Sequence, residues 1–129
     1  MEIIQDIKNN LDYFFNSLNL DEIKNIKNII QKHNNKIIYI TGIGKCETLA
    51  LHFSNLLKSI SYQSFYISVQ NSIHGDVGSI KENDLLIVFS KSGNSNELIQ
   101  FLNIQKIKNI NSISITCSNT GKINSLTKH

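Results

Sequence analysis

Residues 84–97, DLLIVFSKSGNSNE, limit the fold more than any other stretch of the chain. Leu85 to Phe89 is an unbroken apolar run, so a strand here has no polar face and must be covered on both sides. A parallel sheet between two helical layers meets that demand. The run stops at Ser90-Lys91-Ser92-Gly93-Asn94-Ser95, small hydroxyl and amide side chains around one glycine. Helical spacing then resumes at Leu98, Ile99 and Leu102. A strand that feeds a Ser/Gly turn and then a helix makes an anion cradle. The first helical N–H groups lack internal partners, and the helix dipole is positive there. Taken alone, the cluster could equally be a plain strand-to-helix turn capped by Ser95.

The same alternation runs through the chain. Ile37–Ile40 reads as a first buried strand that empties into Thr41-Gly42-Ile43-Gly44-Lys45-Cys46. Leu49, Ala50, Phe53, Leu56 and Leu57 then mark a helix. Ser64–Ile67 is a second strand, followed by a polar loop through Ser72 to Asp76. Ile113–Thr116 alternates and so belongs nearer a sheet edge, and Ile123–Leu126 opens a last helix after the turn at 118–121. The pattern predicts an α/β three-layer sandwich, a doubly wound domain with a mainly parallel sheet and right-handed crossovers. Ligands of such sheets bind beyond the carboxyl ends of the strands. Two nucleotide motifs fail at the first glycine turn. A dinucleotide fingerprint needs glycine where Glu47 stands, and a P-loop needs glycine at Tyr39 and Ser or Thr at Cys46.

Ahead of the first strand, Ile3, Ile4, Ile7, Leu11, Phe14, Phe15 and Leu18 form an amphipathic helix over residues 2–17. A second helix, with Asp21 as its expected cap, runs to about His33. Residues 1–35 therefore form an N-terminal helical segment and 36–129 the α/β domain. The two helices either cover their own sheet or pack on a neighbouring subunit. With 40% hydrophobic and 18% charged residues the chain has the makings of a packed core. A net charge of only +3, with scattered lysines, argues against nucleic acid as a partner. No apolar run approaches the roughly 20 residues that span a bilayer, and Cys46 and Cys117 read as reduced thiols. A cytoplasmic protein without membrane partners is expected.

Three stretches resemble one family. Ser90 to Glu97 is similar to the S-x-S-G-x-[ST]-x-E signature of sugar isomerase (SIS) domains. Thr41-Gly42-Ile43-Gly44-Lys45 resembles that fold's first glycine turn. Ser72-Ile73-His74-Gly75-Asp76-Val77-Gly78 resembles the A-x-H-G-D-x-G segment of arabinose-5-phosphate isomerases. The resemblance covers roughly Lys36 to the C-terminus. It implies an aldose–ketose isomerase that interconverts D-ribulose 5-phosphate and D-arabinose 5-phosphate through an enediol, in a branch that feeds lipopolysaccharide synthesis. It also implies no metal, no organic cofactor and a homo-oligomer, dimer or tetramer. Relatives carry a further strand, helices, a carboxylate and a histidine beyond the point matched by His129, and larger ones carry CBS modules. On that comparison the domain is C-terminally incomplete. The alternatives are a non-catalytic sugar-phosphate-binding or regulatory domain, or a truncated remnant.

The site residues follow from the same motifs. Thr41, Gly42, Gly44, Ser90, Ser92, Gly93 and Ser95 are the expected phosphate contacts, through hydroxyls and backbone amides. Lys45 stands at a helix start, where a cation opposes the dipole unless an outside anion is present. By resemblance it is an active-site lysine; otherwise it is a solvated surface residue. His74, in the H-G-D element, is by resemblance an active-site histidine that helps ring opening or binds hydroxyls. Asp76 more simply braces its loop, and the pair is too sparse for a metal site. Glu97 near a helix start is explained by the dipole alone, whereas the resemblance makes it a catalytic carboxylate. The chain also departs from the family: Cys46 replaces a common Ser, and Glu47-Thr48 replace the usual Gly-His.

Overall fold

The computed structural model describes residues 1–129, the side chain of Gln105 excepted. Helices α1 (Glu2–Ser17) and α2 (Leu20–Lys32) precede β1 (Ile37–Gly42), α3 (Lys45–Ser59) and β2 (Gln63–Tyr66). Then come α4 (Val69–Ile73), a 3-10 turn (Asp76–Ser79), β3 (Leu85–Ser90), α5 (Asn96–Leu102), α6 (Gln105–Asn109), β4 (Asn111–Thr116) and α7 (Lys122–Leu126). The four strands pair in the order β2-β1-β3-β4, all parallel, so the order reverses direction between β1 and β3.

Strand β3 is buried at every position, as its composition requires. Its side chains alternate between two cores. Leu86 and Val88 join Tyr39 beneath Leu98, Phe101, Ile107 and Ile123 from α5, α6 and α7. Leu85, Ile87 and Phe89 join Ile38, Ile40 and Ile113 beneath Ala50 and Leu57 of α3 and Ile29 of α2. Full burial of each such side chain contributes about 1.5–3 kcal/mol. Asp84, at the foot of β3, is also buried, with both oxygens in use. They accept from the Ile37 N–H at 3.2 Å and the Lys81 N–H at 2.7 Å, which ties the start of β1 to the entry of β3.

Strand β4 lies at the edge expected of its alternation, and the backbone of His129 bonds to Ser112 and Ser114 along its outer side. Two local expectations change. Asn19, not Asp21, caps α2: its side-chain oxygen accepts from the N–H groups of Asp21 and Glu22 and its amide donates to Glu22. A helix that starts earlier than expected gives the cap to the preceding amide. And α1 does not cover its own sheet, for it has no buried residue. Ile3, Ile4, Phe14 and Phe15 are all more than half exposed, whereas α2 reaches the core through Ile29. Among the described residues no helix is long and apolar enough to cross a membrane.

Candidate functional site

Two strand-to-helix turns stand side by side beyond the carboxyl ends of neighbouring parallel strands, β1 and β3. The β3 turn is shaped by its own side chains. The buried Ser90 Oγ accepts from the Gly93 N–H at 3.1 Å, and Ser92 Oγ accepts from the Asn94 N–H at 3.1 Å. Each hydroxyl spends a lone pair on the turn, which leaves its O–H to donate. Gly93 takes φ +68° and lies against Gly121, while Asn94 Oδ1 accepts from the Lys122 N–H at 3.0 Å. Ser95 sits at the N-cap of α5, but its hydroxyl makes no capping bond.

This turn, the first turn of α3 and Cys117 enclose a cavity of about 570 Å³. Ser90, Ser92, Ser95, Lys45 and Lys91 all line it, and no acid does. On the other side of the glycine loop lies a second cavity, of about 240 Å³. Gly42, Gly44, Glu47, Tyr66, Gln70 and Glu97 are among its lining residues, and no lysine is. Ile43 borders both. The site thus has one compartment with lysines and hydroxyls set among apolar side chains, Phe89 and Leu98 included, and one with carboxylates, with Ile43 of the glycine loop between them.

In the acidic compartment the phenol of Tyr66, at the end of β2, faces Glu47 from α3 and Ser68. Burial, reinforced by the nearby Glu47 carboxylate, pushes its pKa up to about 12, so it remains a hydrogen-bond donor. Tyr66 and Ser68 also border a third hollow that extends to Gly75 and Asp76 in the His-Gly-Asp loop.

The structure therefore brings Lys45, Ser90, Ser92 and Ser95 around one cavity, and Gly42, Gly44 and Glu97 around the next. Three expected site residues line neither cavity. Thr41 is fully buried and its hydroxyl donates to the Ile67 carbonyl at 2.7 Å, which binds the ends of β1 and β2 together. Gly93 serves as the packing point on the start of α7. His74 ends α4 as an exposed C-cap and lines neither cavity. Sequence reasoning passes over Lys91, Glu47 and Tyr66. Lys91 lies inside the signature itself and is open to reading there. Tyr66 is not, because its partner Glu47 is distant in sequence. Among the described residues no three His, Cys, Asp or Glu side chains cluster to hold a metal ion.

Fold and site together define a doubly wound α/β domain with its cavities beyond the strand ends, at the point where strand order reverses. The SIS domain family model matches residues 31–129, and the chain belongs to that family. The arabinose 5-phosphate isomerase KdsD of Francisella tularensis subsp. tularensis is 30% identical over 117 residues, covering 90% of this chain and 34% of that protein. The chain spans about a third of the length of the curated relatives it matches. Among solved structures, E. coli CFT073 c3406 in complex with arabinose 5-phosphate superposes with a TM-score of 0.78 at 22% identity, covering 96% of this chain and 71% of that one. The Vibrio vulnificus NanR protein complexed with ManNAc-6P gives 0.82 at 17% identity, covering 97% and 47%. These two likenesses establish the shared fold.

Proposed function

We propose that the chain binds a sugar phosphate across the two cavities and isomerises it, with arabinose 5-phosphate and ribulose 5-phosphate as the substrate pair. The observation that carries this reading is the division of charge. Three serines and two lysines surround the compartment that suits a phosphate, and Glu97 stands in the adjoining compartment, where the carbon chain would lie. The named activity of the Francisella relative and the arabinose 5-phosphate complex of the E. coli protein support the choice of sugar.

In this reading Lys45 and the serine hydroxyls fix the phosphate, and Glu97 acts as the base. From the ketose, the carboxylate takes a proton from C1, the C–H pair forms the C1–C2 double bond, and the C2 carbonyl pair moves to O2, which is protonated. Return of the proton to C2, with loss of the O1 proton, leaves the aldose carbonyl at C1. His74 would assist ring opening from a second copy, since its own cavities lie away from it. The exposed apolar face of α1 is the surface we assign to that copy. Light scattering at micromolar concentration should return a multimer, and a monomer mass would count against the assignment.

Solvent-deuterium exchange into C1 or C2, followed by NMR, tests the chemistry. Glu97→Gln should slow exchange by about 10²–10⁴-fold, the usual contribution of a general base, while sugar-phosphate binding persists. A wild-type chain that binds sugar phosphate without exchange would replace this reading by a second one, a binding or regulatory domain. The fold shared with NanR is the observation that favours that alternative.

A further inference from the structure

The acidic compartment contains a residue that the isomerase motifs do not account for. Glu47 stands in the first turn of α3, where the family resemblance leads one to expect glycine, and it lines the same small cavity as Glu97. The two carboxylates come from different helices, α3 and α5, and the glycine loop lies between them and the serine cavity. Tyr66, at the end of β2, lines the same cavity beside Glu47. Gln70 adds a neutral amide to the same wall.

Ligand chemistry follows from this arrangement. A carboxylate accepts hydrogen bonds and donates none, so two of them complement hydroxyl groups and repel a third carboxylate. The neighbouring compartment, with Lys45 and Lys91, has the opposite preference. A molecule that spans both must be anionic at one end only. A sugar phosphate that ends in hydroxyls or a carbonyl meets that condition. The corresponding sugar-acid phosphate, with a carboxylate at the far end, does not.

Building on the reading above, we propose that Glu47 is a specificity-determining residue. With Glu97 it makes the end of the site remote from the phosphate selective for hydroxylated sugar ends and excludes phosphorylated sugar acids. Its role is in discrimination, and it takes no proton in the reaction.

Calorimetric titrations of the full chain with inorganic phosphate, D-arabinose 5-phosphate and D-arabinonate 5-phosphate, at one ionic strength, test the proposal. The wild type should prefer the aldose over the aldonate by about tenfold or more, the scale of one like-charge contact. Glu47→Gln should reduce that preference to about threefold or less, chiefly by tighter aldonate binding, with inorganic phosphate unchanged. Glu47→Asp, which keeps the charge, should restore most of the preference. An unchanged preference in Glu47→Gln, with phosphate still bound, overturns the role of Glu47 and leaves the phosphate site intact. Failure of all three ligands to bind overturns the phosphate site and this inference together.

Discussion

The turn after β1 and the turn after β3 occupy equivalent places on adjacent strands and are built in opposite ways. The β3 turn is braced by side chains, with Ser90 and Ser92 holding its amides, Gly93 seated on Gly121, and Asn94 bonded to the start of α7. The β1 turn lacks side-chain bracing and is held by its backbone instead. The Cys46 N–H donates to the Ile43 carbonyl at 3.2 Å. Gly42 packs so closely on α3 that a Cβ would lie 2.6 Å from the Cys46 carbonyl oxygen. Gly44 takes φ +62° with open space around the position of a side chain, and the loop's polar residues, Lys45 and Glu47, sit on the helix that follows. The difference separates two tasks. A rigid turn presents fixed donors to one group of the ligand, and the open position at Gly44 lets the rest of the ligand pass close to the backbone.

Of the two positive-φ turn glycines, Gly93→Ala should have the larger effect. A Cβ there would lie 2.9 Å from the Gly121 Cα, backbone against backbone, on top of an unfavourable φ. Urea unfolding should show a loss of about 2–4 kcal/mol. Gly44→Ala carries only the φ penalty, so its loss should be about 1–2 kcal/mol. Equal losses would erase the contrast between the turns.

A smaller pair of effects sharpens the comparison within the β3 turn. Ser90→Ala leaves the N–H of buried Gly93 without its partner, at a cost of about 1–3 kcal/mol. Ser92 is exposed, and water can replace it at the Asn94 N–H. Ser92→Ala should therefore cost about 0.5 kcal/mol or less in stability, and its effect should appear in ligand binding.

The smallest effect concerns the acidic side. Tyr66 has a folded-state pKa of about 12 against 10.0 unperturbed, so the folded state holds its proton more tightly than the unfolded state. The stabilisation is fully present below pH 10 and is lost as pH rises through about 12. Over that window wild type should lose stability relative to Tyr66→Phe. One of the four tyrosines should also titrate late in the ultraviolet. Parallel stability profiles for the two proteins would contradict the perturbation of Tyr66 by burial and by Glu47 together.

How much of this is legible in the sequence depends on the range of the interactions. The apolar run 85–89 specifies a doubly covered strand by itself, and the sheet order that places β3 in the interior agrees with it. The serine cluster marks its turn because the signal is local. Residues whose partners are remote do not declare themselves in this way. Thr41 reads as a phosphate donor until β2 brings the Ile67 carbonyl to it, and Glu47 reads as a mere family departure until Tyr66 faces it. For α1, periodicity gives the helix, but nothing in the pattern says whether an apolar face turns inward.

The central claim is that the compartment formed by Ser90, Ser92, Ser95, Lys45 and Lys91 holds the phosphate of a sugar phosphate. Thermal unfolding of wild type and of Ser92→Ala/Ser95→Ala, with and without D-arabinose 5-phosphate, tests it directly. These two hydroxyls are the ones least engaged in holding the fold: Ser92 is exposed, and Ser95 caps no helix amide. Wild type should gain about 2.7 kcal/mol at a hundredfold excess over the dissociation constant. The double variant should fold as before and gain almost nothing. Equal stabilisation of the two proteins would place the phosphate elsewhere and contradict the account.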